Sequence, residues 1–192
     1  MDRERMVDVG VVLVSRFGAK ALSLTSVAKQ AGVARATAYR MFGGREALIA
    51  AIVEREVAQL RTRLTTWAVA HPDAESRVAA QVLESLRYIR EHEALQYVLR
   101  NEPGEVVSAL VSTTDGGPAL VTRIVAAALP DVDAEVAGRL RPNPEAAAEF
   151  MVRIVYSMML VPDSAMTDEE IAALVVAAVV APARPTSGGE LG

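Results

Sequence analysis

Residues 31–48 have the sequence AGVARATAYRMFGGREAL, which is compatible with few local structures. It contains two helix-breaking pairs, Gly32-Val33 and Gly43-Gly44, with a short run between them that favours a helix. Two short helices joined by a glycine turn are typical of the helix-turn-helix arrangement. In that arrangement the second helix enters the major groove of DNA, because the groove is wide enough for one helix. The segment therefore predicts a DNA-reading element.

The chain before this segment favours two more short helices. A helix is predicted over residues 3–17, where apolar side chains recur at spacings of three and four, and Gly18 ends it. A second helix is predicted over residues 24–31, with Ser23 as its N-cap. The helix after the turn is predicted over residues 34–41.

The rest of the chain also favours helices and shows no strand signal and no internal repeat. A polar connection over residues 130–144 is predicted to be partly helical, and residues 101–118 are predicted as a loop with one or two helical turns. The fold class is therefore all-α. Helices are predicted over residues 45–69, 74–92, 94–101, 118–129, 144–161 and 167–180.

Three local features refine these helices. Residues 167–170, Thr-Asp-Glu-Glu, predict a capping box at the start of the last helix. Residues 144–161 carry a single thin polar stripe, so that helix should be covered on more than one side. His71 and His92 stand at predicted helix ends, where histidine is a common C-terminal capping partner.

Composition excludes several classes of site. The chain has no cysteine, which rules out disulfides and a thiolate metal site. It has two histidines, too few for a metal site built mainly from histidine. We expect no metal, no cofactor and no catalytic residue. Hydrophobic residues make up 52% and aromatic residues 4%, so the core should consist of small aliphatic side chains. Neither a signal peptide nor a membrane span is apparent, and a cytoplasmic location is expected.

Charge is distributed unevenly along the chain. Residues 1–48 hold eight basic and four acidic residues, although the whole chain has a net charge of −4. A basic head on an acidic body is typical of a protein whose head binds a polyanion.

At these residues the sequence resembles the TetR family of bacterial transcriptional regulators. The resemblance implies a three-helix DNA-binding domain over residues 1–47, a long fourth helix, and a helical ligand-binding and dimerisation domain over residues 48–181. Residues 182–192 are predicted to be a disordered tail. The resemblance runs from about Met6 to Leu48 through Gly18, Ser23, Val27-Ala28, Ala31-Gly32-Val33, Thr37, Tyr39, Phe42 and Arg45-Glu46-Ala47-Leu48.

The resemblance also implies roles for individual residues. Arg35, Ala36 and Thr37 would contact base edges. Tyr39, Arg45 and Thr25 would contact phosphates, and Arg40 would contact either a base or a phosphate. Arg3 and Arg5 are candidates for an N-terminal arm. For Tyr39 the alternative is packing within the protein, and for Arg45 it is an ordinary surface position.

The sequence departs from the family pattern at several caps and contacts. Ala34 replaces the usual serine or threonine cap of the third helix, and Ser26 replaces the acid that would complete the cap of the second. Met41 and Gly43-Gly44 also differ from the usual residues. We expect weaker helix caps, each loss amounting to about 1 kcal/mol.

A ligand cavity is implied by the resemblance, and its residues are proposed from their clustering. Ordinary core packing is the alternative for each of them. The last two long helices are expected to form the dimer face, with Met159, Val176 and Val180 as candidates. The proposed ligand-binding residues are Trp67, Tyr88, Tyr97, Met151, Tyr156 and Met158, with Phe150 and Met159 nearby.

The implied function is that of a homodimeric repressor, released from a palindromic double-stranded DNA operator by a small apolar ligand. Activation instead of repression, or the absence of any ligand, stays open. Two other classes are a bundle enzyme and a helical small-molecule carrier that does not bind DNA. The enzyme lacks a histidine-centred or paired-acid constellation, and the carrier gives no reason for the basic head.

Overall fold

A computed structural model of the chain describes residues 2–111, 120–129 and 132–182. These residues form helices and no strand, apart from an isolated antiparallel bridge between Leu140 and Val180. The all-α prediction is confirmed. The helices are α1 (Asp2–Phe17), α2 (Leu24–Ala31), α3 (Arg35–Phe42), α4 (Arg45–Val69), α5 (Ala74–Glu91), α6 (Glu93–Asn101), α7 (Pro103–Val111), α8 (Leu120–Ala128), α9 (Ala134–Arg139), α10 (Pro144–Leu160) and α11 (Asp168–Val179).

The first three helices and the start of α4 enclose one hydrophobic core. Met6, Val27, Ala31 and Leu48 are completely buried there. The same core includes Ala94 and Val98 of α6, because α1 packs along α6 as well as along α4. The N-terminal head therefore packs against the rest of the chain mainly through α4 and α6.

A second core holds the C-terminal helices together. It is centred on α5, which packs against α4, α10 and α11. Two ion pairs fasten its rim: Arg90 of α5 binds Asp168 at the start of α11, and Arg139 of α9 binds Glu75 of α5. Between the two cores, α4, α5, α6, α7, α8 and α10 leave an internal space.

The predicted loop after α6 contains a complete helix. Pro103 stands at the first residue of α7, where the missing N–H costs no hydrogen bond, and Val106 is buried. Helix propensity alone predicts too little helix in this segment, because burial of one face of the helix supplies much of its stabilisation. Pro118, the predicted start of the next helix, lies outside the described residues, as does the tail from residue 183 onward.

The predicted caps can be compared with the observed ones. Ser23 caps α2, and Thr167 and Glu170 form the expected capping box on α11. The expectation that Ser26 weakens the α2 cap is wrong. The Ser26 hydroxyl binds the backbone N–H of Ser23 at 3.3 Å, and the Ser26 N–H donates to Ser23 Oγ at 3.1 Å, so a serine closes the box. Ala34, as expected, gives α3 no side-chain cap.

The two histidines differ in their roles. Nδ1 of His71 lies 2.8 Å from the carbonyl oxygen of Trp67 at the end of α4, as the sequence indicated. His92 does stand at the C-terminal end of α5, as expected, but its ring caps the start of α6 instead. Its Nδ1 accepts the N–H of Leu95 at 3.2 Å.

Gly18 makes a testable contribution to stability. Its φ is +86°, and a Cβ there would collide with the carboxylate of Glu102, whose Cδ would lie 2.8 Å away, and with Cε1 of Tyr97 at 2.9 Å. We expect Gly18→Ala to lower the free energy of unfolding by about 1–2 kcal/mol or more, from the left-handed backbone alone. Urea denaturation measures this change.

Gly104→Ala is the matched control for Gly18→Ala. Gly104 lies in α7, and a Cβ there would meet nothing within 4 Å. Alanine is a better helix former, so this variant should be as stable as the wild type or slightly more stable. Equal stability of the Gly18 and Gly104 variants would contradict the proposed strain.

Candidate DNA interface and ligand cavity

Helix α3 presents its polar side chains outward. Gly32, in the left-handed conformation at φ 69° and ψ 30°, ends α2 and turns the chain into α3. Ala38 and Phe42 then face the core and are 0% and 6% exposed. The opposite side of α3 carries Arg35, Ala36, Tyr39 and Arg40, all exposed, with Thr37 half-buried.

Tyr39 is held at the surface by a neighbouring charge. The guanidinium of Arg35 lies 5.3 Å from the centroid of the Tyr39 ring, and the tyrosine is 43% exposed. A cation over an aromatic face is attracted to it, so the two side chains orient one another. Tyr39 is therefore accessible to a DNA backbone rather than packed in the core.

The residues expected to contact phosphates have distinct surroundings. Thr25 is exposed in the first turn of α2. Arg45 is half-buried: its Nη2 donates to the carbonyl oxygen of Ala19 at 2.8 Å, and its Nη1 pairs with Glu46 at 2.7 Å. Arg45 thus holds the start of α4 against the loop between α1 and α2.

The expectation of an N-terminal arm at Arg3 and Arg5 is wrong. Both residues lie inside α1, which begins at Asp2. Arg3 lies over the ring of Phe42, 5.3 Å from its centroid, so it packs on the end of α3.

An internal cavity of about 360 Å³ lies between the two hydrophobic cores. That volume is within the range of small-molecule sites, about 300–1,000 Å³. Most of its wall is aliphatic, for example Ile52, Val57 and Leu60 of α4 with Val98 of α6 and Ile124 of α8.

Polar groups enter the cavity wall along one line. Gln81, Ser85, Tyr88 and His92 all line it, at spacings of four, three and four residues along α5 and its end. This spacing places them on one face of the helix. Glu56 of α4 lies at the His92 end of the line.

Glu56, Tyr88 and His92 form a hydrogen-bonded cluster. Oε2 of Glu56 accepts the Tyr88 hydroxyl at 3.1 Å and lies 2.7 Å from Nε2 of His92. Because Nδ1 of His92 accepts the Leu95 N–H, the neutral ring has its proton on Nε2 and donates it to Glu56. The cluster ties α4 to α5 and α6.

The electrostatics of this cluster keep Glu56 ionised. Burial acts to raise the pKa of Glu56, but the hydrogen bond and charge of His92, the Tyr88 hydroxyl and Arg55 together hold that pKa below its ordinary value. Burial, and then the Glu56 carboxylate, raise the pKa of Tyr88, which keeps its hydroxyl proton. Arg63 lies over the Tyr88 ring at 4.9 Å from its centroid.

The proposed ligand-binding residues divide into two groups. Tyr88, Met151 and Tyr156 line the cavity, together with Met159. Trp67, Tyr97 and Met158 lie outside its lining, as does Phe150, which corrects their expected position. The reasons are local, since Tyr97 packs against Gly18 and Met158 packs into the second core.

The expected dimer-face residues also need correction. Met159 is 9% and Val180 5% exposed within the single chain, so neither is available to a partner, and Val176 is half-buried. Other apolar residues of the same region are exposed instead. They are Phe150, Leu160, Val161, Met166 and Leu174, with Leu174 59% exposed.

Residues 7–52 match the family model of the bacterial regulatory proteins of the tetR family. The chain therefore carries the DNA-binding domain of the TetR family. It is accordingly a transcriptional regulator with a helix-turn-helix DNA-binding domain. The match covers α1 to α3 and the first turns of α4, the segment in which the sequence resemblance was found.

Relatives of this TetR-family regulator match over most of its length. An uncharacterised HTH-type transcriptional regulator of Mycobacterium tuberculosis strain H37Rv is 25% identical over 166 residues, covering 86% of this chain and 78% of that protein. The fold is similar to that of the TetR-family repressor AlkX from a Dietzia species, implicated in biodegradation of n-alkanes. That structure is 20% identical, with a TM-score of 0.70 over 91% of this chain and 93% of the other. The repressor QsdR of R. erythropolis gives 20% identity and a TM-score of 0.63 over 92% and 94%.

Sequence reasoning missed the polar line of this TetR-family regulator. Gln81, Ser85 and Tyr88 alternate with buried Val82 and Leu86 along α5, which is a detectable signal. The position of Glu56 opposite that line depends on how α4 and α5 pack, which the sequence does not give. Within the described residues, no group of three or more His, Asp or Glu is arranged to hold a metal ion. No helix in that part of the chain is long and apolar enough to cross a membrane.

Proposed function

We propose that this regulator is a homodimeric repressor that releases a palindromic operator when a small molecule with an apolar body enters the cavity. The observation that carries the proposal is the outward polar face of α3, mounted on a basic head. On this proposal Arg35, Ala36 and Thr37 read base edges, Tyr39 and Thr25 contact phosphates, and Arg40 contacts either.

Dimerisation is supported by the composition of α11. Past Glu170 this helix has no polar residue, and its exposed side chains are Ala173, Leu174, Ala177 and Ala178. A helix that is apolar on all sides is covered on more than one of them. Helix α5 covers one side, and a second copy of the chain would cover the other. Two heads related by a two-fold axis then read two half-sites.

Helix α4 connects the cavity to the head. Its later turns line the cavity, while its first residue, Arg45, binds the loop between α1 and α2. The same loop is held from the other side, where Oε2 of Glu102 accepts the N–H groups of Ala19 at 2.7 Å and Lys20 at 3.1 Å. A ligand that separates α4 from α6 would therefore move the head.

Small movements are enough for such a switch. Half-sites on one face of DNA lie about 34–36 Å apart, so a shift of a few ångströms between the two heads breaks their register. A coupling free energy of about 1–3 kcal/mol gives a useful response. On this view residues 1–47 form the DNA-binding unit and residues 48–181 the sensing and dimerisation unit.

The apolar body of the ligand is inferred from the aliphatic cavity wall. The similarity in fold to AlkX, a repressor implicated in n-alkane biodegradation, agrees with an apolar inducer.

Selection of bound fragments from random duplex DNA tests the proposal. The purified protein should enrich an inverted repeat with half-site centres about one helical turn apart, and binding should weaken steeply with salt. A dimer should be seen by light scattering at the same protein concentration. Enrichment of no sequence, or of a single unsymmetrical site by a monomer, would overturn it.

A further inference from the structure

We infer that the cavity selects a hydrophobic cation, an ammonium or similar group on an apolar body, with Glu56 as its counter-ion. The inference rests on the proposed function in one respect, that the cavity is a ligand site. It goes beyond that function by giving the charge of the ligand.

The charged groups of the cavity wall are unbalanced. Glu56 and Glu105 are its acids, and Arg77 is its one arginine or lysine within the described residues. The Arg77 guanidinium is already engaged: it pairs with Asp133, and its Nε donates to the carbonyl oxygen of His71 at 2.7 Å. It therefore neutralises Asp133, and no arginine or lysine in the described part of the wall pairs with either glutamate. Arg55, whose charge lowers the pKa of Glu56, lies outside the wall.

His92 engages only one oxygen of the Glu56 carboxylate. Its Nδ1 accepts the Leu95 N–H, so its contact with Glu56 is made through Nε2, which lies 2.7 Å from Oε2. The ring therefore holds the carboxylate in place and leaves the other oxygen, Oε1, open to the cavity.

Glu56 has one oxygen free to receive a ligand. Both of its side-chain hydrogen bonds end on Oε2, and among the described residues Oε1 has no hydrogen-bond partner. An ionised carboxylate in an apolar surrounding is costly unless it is paired. A cation delivered by the ligand would complete this site.

A second polar atom in the wall is unpartnered. The hydroxyl of Tyr156 is buried and has no hydrogen-bond partner in the part of the chain that the structure describes, and burial raises the pKa of this tyrosine. The hydroxyl oxygen can accept a hydrogen bond from an ammonium N–H, and the ring can attract a cation. Gln81 and Ser85 add neutral polar groups along the same wall.

Anionic ligands are expected to bind weakly in this cavity. A carboxylate in this cavity would approach Glu56 or Glu105 and find no unpaired arginine or lysine in the described part of the wall. Like charges in a low-dielectric site repel strongly. Hydrophobic acids should therefore bind worse than neutral molecules of the same length.

Three probes that share one apolar chain test the inference by isothermal titration calorimetry at neutral pH. They are decylamine, which is protonated, decanol, which is neutral, and decanoate, which is anionic. The wild-type protein should bind decylamine about tenfold or more tighter than decanol, and decanoate should bind most weakly. This order requires no variant, so it does not depend on how a mutant folds.

The variant Glu56→Gln tests whether Glu56 is responsible for the preference for decylamine over decanol. This variant should lose about tenfold or more in decylamine affinity and keep its decanol affinity, which also shows that the cavity is intact. Glu54→Gln is the matched control, because Glu54 lies on α4 with a side chain that is 63% exposed and is not in the cavity lining. It should behave as the wild type.

Three results would overturn the inference. They are decanoate binding as tightly as decylamine, an unchanged preference in Glu56→Gln, and binding of none of the probes. Operator binding, measured separately without any probe, distinguishes these failures from failure of the proposed function. A protein that binds its operator but prefers anions contradicts only the cation selectivity.

Discussion

Replacing Arg35 and Arg40 together by alanine is expected to weaken operator binding at least about a hundredfold. Both side chains project from α3 into solvent, and a dimer loses each of them twice. A single good contact between an arginine and a base edge contributes about 1–3 kcal/mol of discrimination, so the four lost contacts account for a large effect. Fluorescence anisotropy with the selected operator measures it.

The double variant should remain folded, because neither arginine contributes to the core. Its melting temperature and its dimeric state should match those of the wild type. Arg87→Ala with Arg100→Ala is the matched control, since both are exposed arginines on α5 and α6, outside the head. Operator binding that survives in the Arg35 and Arg40 variant would contradict the assignment of α3 as the recognition helix.

Leu174→Glu is expected to dissociate the dimer and, as a consequence, to reduce operator binding to that of a single head. Leu174 is 59% exposed on the uncharged side of α11. A carboxylate buried there without a partner costs several kcal/mol, and the two-fold axis introduces it twice. Analytical ultracentrifugation should show a monomer at concentrations where the wild type is a dimer.

Val107→Glu is the control for this change. Val107 is 45% exposed on α7 and does not belong to the exposed apolar residues of α10 and α11, so a glutamate there should stay in water and leave the dimer intact. Should Val107→Glu dissociate the protein and Leu174→Glu leave it dimeric, the partner surface would have to be sought on α7.

The head could be predicted from sequence because its signals are local. Gly18 and Gly32 mark helix ends through positive φ, Ser23 marks a helix start, and the apolar spacing of α2 identifies its buried face. Each signal acts within a few residues, so no knowledge of the distant chain is required. The helix limits in this region agree within a residue or two.

The cavity could not be predicted to the same degree because it is made by packing between distant helices. Tyr88 and Tyr97 are both aromatic residues of predicted helices, yet Tyr88 lines the cavity and Tyr97 faces Gly18. The position of Tyr97 depends on how α6 is rotated against α1. The same holds for Met159 of α10, a predicted dimer-face residue that is buried in the first core together with Val98 of α6 and Val106 of α7.

The serine at position 26 has a consequence for binding to the DNA backbone. An acidic residue in that position would set a full negative charge beside the first turn of α2, where the unpaired N–H groups give the helix its partial positive charge. Ser26 closes the same capping box as a neutral group. The positive end of α2 is thus left unscreened next to exposed Thr25, and a nearby anion such as a DNA phosphate meets attraction from the helix with no repulsion to offset it.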